Sequence, residues 1–162
     1  MKVFHGSLEE VTVPALNRCT HVGDFGVGFY VTTSLEQARR FVKTKARRVM
    51  ADGGMVSCYE LDERLFAAPF HGKVFDSPNC EWAEFVRRNR LDLGFSHAFD
   101  YVRGPVANDQ VYASFSLFEA GLLSFDALLE QLKVHQLCDQ IVFHTEAALR
   151  CLVFLHSEAV TW

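Results

Sequence analysis

The sequence predicts an α+β protein. Short runs of β-branched and aromatic residues, GFYVTT at 28–33, MVSCYEL at 55–61 and QIVFHT at 140–145, read as strands. Between them lie stretches whose apolar residues recur at helical spacing. The two kinds interleave without the regular βαβ rhythm of a doubly wound sheet, which favours α+β over a parallel α/β fold.

Each element has a local reason. KVFHGS alternates around Val3 and stops at Gly6, the pattern of a short strand entering a loop. After GFYVTT, Ser34 is followed three residues later by Gln37, a capping-box pattern, and Leu35, Ala38, Phe41, Val42 and Val49 keep helical spacing, so a helix is expected from Leu35 to Met50. Gly53 and Gly54 are read as its break, and MVSCYEL as the next strand. Beyond Pro78, Trp82, Phe85 and Val86 share one face of a second helix, with Arg87, Arg88 and Arg90 on its polar side, either solvated or facing an anionic substrate. FDYVRGPVA is a strand ending at Gly104-Pro105, and Val111, Phe115 and Phe118 keep a looser helical spacing. Ser124 caps a helix with Leu128, Leu129 and Leu132 on one side; Thr145 caps a short helix in EAALRC; LVFLH is a final strand.

With 162 residues, 49% hydrophobic and 22% charged, the chain has the balance of one compact domain, with no internal repeat, low-complexity tract or linker. The net charge of -4 gives no global attraction to nucleic acid or anionic lipid, although a local basic patch escapes such a count. MKVFHGSLEE lacks the apolar run of a signal peptide and nothing in the chain suits a bilayer, so no membrane partner and a cytoplasmic location are expected. Five widely spaced cysteines without a C-x-x-C pair read as buried, reduced thiols.

The densest signal is GDFGVGFYVTTSLEQARRF, residues 23–41. Its glycines fall as G-x-x-G-x-G and a strand follows, so a dinucleotide fingerprint is excluded. DFG is unaccompanied by the other protein-kinase motifs and is a chance match.

His5-Gly6 closing the first strand, Gly28-Phe29-Tyr30 entering the second, and Phe41 eleven residues after Tyr30 resemble the ADP-ribosyltransferase superfamily, in its diphtheria-toxin and poly(ADP-ribose) polymerase-like branch. More closely, HGS, DFGVGFYVTTSLEQARRF, GPVAND and DQIVFHTEAAL resemble bacterial domains of that superfamily found in toxin–antitoxin-type loci, over about residues 2–154. The resemblance implies a single ADP-ribosyltransferase-like domain over 1–162, with a split mixed β-sheet core flanked by helices. It also implies NAD as co-substrate, no metal, and a small antitoxin-like protein partner.

Breaking the nicotinamide–ribose bond passes through an oxocarbenium-like state, which gives each matched residue a task. By the resemblance, Gly6 offers its backbone to the nicotinamide amide, His5 bonds a ribose hydroxyl, Tyr30 and Phe41 sandwich the nicotinamide ring, and Ser7, Phe25, Gly26 and Gly28 complete the cofactor-binding set. Many relatives carry a glutamate on the strand that here reads CDQIVFHT, and its position corresponds to Gln140. Glutamine accepts a hydrogen bond but carries no charge and is no base, so a rate lower by about 10²–10³ is expected. Asp109 is the candidate that replaces the charge, with Asn108 as a substrate contact; the plainer alternative is that both cap the next helix. The expected function is mono-ADP-ribosyl transfer from NAD to a protein, nucleic-acid or small-molecule acceptor. Two alternatives stand beside it: NAD hydrolysis, and a catalytically weak or inactive module that binds NAD or ADP-ribose.

Overall fold

The computed structural model describes residues 1–106, 109–133 and 139–161, without the side chains of 109–112, 132 and 133. The described residues form nine strands and five α-helices, and seven of the strands make one mixed sheet. In chain order the elements are β1 (Lys2–Ser7), β2 (Val22–Gly23), β3 (Gly26–Val27), β4 (Phe29–Thr32), α1 (Leu35–Arg48), β5 (Gly53–Leu61), β6 (Gly72–Val74), α2 (Cys80–Leu91), β7 (Tyr101–Pro105), α3 (Asp109–Glu119), α4 (Phe125–Lys133), β8 (Asp139–Phe143), α5 (Glu146–Leu149) and β9 (Leu152–Thr161). The sheet order is β6-β7-β8-β4-β1-β5-β9, with β6 and β7 parallel and every other pair antiparallel. β2 and β3 make a separate hairpin.

Strand alternation sorts the core onto two faces. Val3, Phe29, Val31, Tyr59, Ile141 and Phe143 point to one face, where Ala148 and Leu149 of α5 cover them. The opposite face carries two further clusters. Ala38 and Val42 of α1 pack on Val56 and Val160, while Trp82, Ala83 and Val86 of α2 pack with Phe115 of α3 and Leu128 of α4 on Val102 and Val142. The seam between those clusters runs over β1 and β4.

The caps foreseen at Ser34, Ser124 and Thr145 form: their hydroxyls accept from Gln37, Ala127 and Ala148. A cap at Asn79, which accepts from the Trp82 N–H, adds a start signal for α2. α1 stops at Arg48 rather than Met50 because Met50 turns left-handed at φ 55°, with Met50 N–H donating to Arg47 O and Ala51 N–H to Ala46 O, a Schellman closure. Gly53 and Gly54 do not form a break but begin β5, pressed against the backbone of β9 and of Ser7. β9 runs past LVFLH to Thr161, paired along the whole of β5 across an irregularity at Cys58/Tyr59. Among the described residues no helix is long and apolar enough to cross a membrane.

Candidate functional site

The ladder between β1 and β4 consists of one pair, Phe4 with Thr32. β1 then continues along β5 through Ser7, and β4 along β8 through Phe29, so the two central strands part at His5 and Tyr30. A side chain bridges the opening: His5 Nδ1 lies 2.7 Å from the Tyr30 carbonyl, and its ring stacks on Phe29 with centroids 4.3 Å apart. A carbonyl only accepts, so Nδ1 carries the proton and Nε2 presents a lone pair. Burial, and beyond it the positive charge of Lys45, lowers the His5 pKa to about 4 against the pull of the Tyr30 bond. His5 is therefore a neutral imidazole at pH 7, able to accept a hydroxyl proton at Nε2.

Gly6 follows on the α1 face. A Cβ there would lie 2.7 Å from the Ala38 carbonyl and 3.3 Å from Phe41 Cδ1, so only glycine lets the helix sit this close. Phe41 keeps 47% of its surface exposed, an accessible aromatic beside the strand split. Ser7 is buried, and its hydroxyl donates to the Glu9 carbonyl.

Tyr30 is pinned by the β2–β3 hairpin. Its hydroxyl donates to Gly26 O at 2.6 Å and accepts from Phe25 N–H at 3.1 Å. Gly26 holds φ at +87°, a conformation that suits glycine, and this closes a two-residue turn at Asp24-Phe25. The Phe25 ring is fully buried with Phe75 and Trp82, so it anchors the hairpin to α2 and has no open face for a ligand. Gly28 abuts the Phe143 carbonyl and Val142.

Gln140 lies elsewhere than His5. The register Phe4–Thr32–Gln140 puts those three on one face, so His5, one residue on from Phe4, points to the other. The Gln140 amide is buried and donates to Asp24 Oδ2 at 3.2 Å and to Pro105 O at 3.4 Å. Asp24, 4% exposed, is salt-bridged to Arg90 at 3.1 Å. The structure thus joins His5 to Tyr30, Gly6 to Phe41, and Gln140 to a buried carboxylate, Asp24. It does not join Gln140 to His5. Asn108 and the Asp109 side chain lie outside the described residues. Of the three arginines flagged on α2, Arg90 holds Asp24 and Arg87 pairs with Glu84, while Arg88 lies over the Phe95 ring.

Two features of the site escape sequence reasoning. The Asp24–Arg90 pair spans 66 residues. His97 and His144 meet ring to ring at 4.5 Å and hold the hairpin, with His144 Nδ1 at 2.9 Å from Val27 O and His97 Nε2 at 3.5 Å from Phe25 O. The available signal was the spacing of Gly23 and Gly26 around Asp-Phe, a two-residue hairpin pattern. Burial, reinforced by His97, lowers the His144 pKa to about 4, and among the described residues its buried Nε2 has no hydrogen-bond partner.

The fold and this strand split define an α+β domain with a mixed sheet opened at its centre. Residues 1–154 match the family model described as a protein of unknown function (DUF3990), and the chain belongs to that family. Searches of the curated proteins and of the solved structures returned no match. Among the described residues no group of three or more His, Cys, Asp or Glu is placed to hold a metal ion.

Proposed function

We propose that the protein has an ADP-ribosyltransferase-like fold and is a cytoplasmic NAD-dependent mono-ADP-ribosyltransferase, possessing a nicotinamide site at the β1–β4 split. The observation that carries this reading is the split itself: a one-pair ladder, bridged by a neutral histidine whose free Nε2 accepts a ribose hydroxyl, with the exposed ring of Phe41 beside the next residue, Gly6, on the α1 face. In this role Gly6 offers backbone groups on the β4 side, where pairing has ended. Tyr30 shapes the wall through the hairpin that holds its hydroxyl. An oxocarbenium-like state gains from nearby negative charge, and beside Gln140 that charge is Asp24, offset by Arg90. The nucleophile comes from an acceptor or from water, and a small antitoxin-like protein is the partner the resemblance implies.

A second reading is favoured by one observation. The Gln140 amide is committed to Asp24 and Pro105, away from His5, which suits a module that binds NAD or ADP-ribose without cleaving it. Nicotinamide release from NAD by the purified protein, with and without a lysate supplying acceptors, separates the readings. Transfer predicts release that depends on the lysate and falls at least tenfold in His5→Ala. Release without lysate marks a hydrolase, and saturable NAD binding without release marks the binding module.

A further inference from the structure

The ten residues from Arg39 to Arg48 hold six of the chain's 16 Lys and Arg and none of its 20 Asp and Glu. All lie on α1, whose apolar stripe, Ala38, Val42 and Ala46, is buried against the sheet. Arg39 pairs with Glu158 and Arg40 with Glu36, but among the described residues Lys43, Lys45, Arg47 and Arg48 have no carboxylate within ion-pair distance, and all four are exposed. Favourable charges at a helix C-terminus account for one or two cations in the last turn, not for four over six residues. The chain as a whole is acidic, so this is a local positive field on a negative molecule.

The cations fall in two rows. Lys43 and Arg47 stand one turn apart on one flank, and Phe41, Lys45 and Arg48 follow one another on the other, with Lys45 Nζ 6.0 Å from the Phe41 ring centroid. Each four-residue step advances about 6 Å along the helix, comparable with the spacing of neighbouring phosphates in an extended strand. The second row begins at Phe41, beside Gly6, and the charge of Lys45 reaches His5. Positive charge therefore runs from the outer surface of α1 to the strand split.

We infer that the outer surface of α1 binds the phosphate backbone of a single-stranded nucleic acid and presents it to the split as the acceptor: a nucleophilic atom of the strand bonds to C1′ of the nicotinamide ribose as the bond from C1′ to nicotinamide breaks, neutral nicotinamide leaves, and the nucleophile's proton passes to solvent. This rests on the reading of the split as the NAD site. An anionic membrane fits less well, because the apolar stripe of α1 faces inward and Phe41, Val49 and Met50 are scattered among the exposed cations. An acidic protein surface fits less well because the patch is dominated by lysine and arginine with no apolar centre. A duplex fits less well because a base reaches a seam between helices only when it is out of the stack.

The test is fluorescence anisotropy of a labelled mixed-sequence single-stranded oligonucleotide titrated with the full chain at several salt concentrations. Contact with four phosphates predicts a plot of log K against log salt with a slope of about −3, and the double variant Lys43→Gln/Arg47→Gln a slope of about −1.5. Arg18→Gln, an exposed cation elsewhere, leaves the slope unchanged. No binding at low salt overturns the inference, as does an unchanged slope in the double variant, or equal binding to anionic phospholipid vesicles or to polyglutamate. An NAD titration of the same wild-type preparation keeps the two readings apart, since loss of strand binding with NAD binding intact overturns only this one.

Discussion

A single imidazole decides how the centre of the sheet is held. In most antiparallel pairs the backbone ladder joins neighbouring strands, but beyond Phe4 the bond between β1 and β4 comes from the His5 side chain. His144 does comparable work for the hairpin, donating to Val27 O from a ring whose other nitrogen is buried. Both histidines have folded pKa values of about 4, below the ordinary 6.5, so the folded protein leaves them neutral where the unfolded chain is protonated. Stability is therefore expected to fall as pH drops from 6.5 towards 4, by up to about 1.4 kcal/mol per pH unit for each histidine. Urea unfolding at pH 4.5, 5.5 and 7 checks this, and a flat profile would contradict it. In His144→Phe the slope is expected to shrink by the share of one histidine.

At the scale of elements, α1 shows how a sequence pattern and a backbone rule interact. Its start was legible because Ser34 and Gln37 sit at capping positions. Its end was not, because the left-handed position that closes the helix carries methionine instead of glycine, and the apolar spacing runs on through Val49. Met50 is 93% exposed, so the left-handed backbone is uncompensated by packing. Met50→Gly is expected to raise stability by about 1 kcal/mol, read from the denaturation midpoint; an unchanged or lowered midpoint would mean that the Met50 side chain contributes a contact in solution. The β2–β3 hairpin carries the complementary lesson. Gly23 and Gly26 flank Asp24-Phe25 as a two-residue turn requires, but the turn's use, which is to bury Phe25 and deliver Asp24 to Gln140 and Arg90, depends on α2 and β8 more than fifty residues away.

Across the whole molecule, alternation and spacing were enough to mark most strands of the sheet, while their order was not, since β4 lies between β8 and β1 and no local pattern states that pairing. The same holds for the candidate site. His5, Gly6, Tyr30 and Phe41 were visible as types at a spacing; the structure bonds His5 to the Tyr30 carbonyl and sets Gly6 against Phe41, while the Tyr30 side chain turns to the hairpin. The assignment of Gln140 required knowing which way β8 faces, and the observed register turns it towards Asp24. β6, three residues long with Gly72 at its start, left too little pattern to read. A nicotinamide site at the split between β1 and β4 requires that the protein bind NAD there. Titration calorimetry of NAD into the full chain, alongside Phe41→Ala, measures this. Saturable binding is predicted, weakened about tenfold or less by Phe41→Ala, because an exposed stacking ring contributes about 0.5–1.5 kcal/mol. No binding, or binding untouched by both Phe41→Ala and His5→Ala, would contradict the claim.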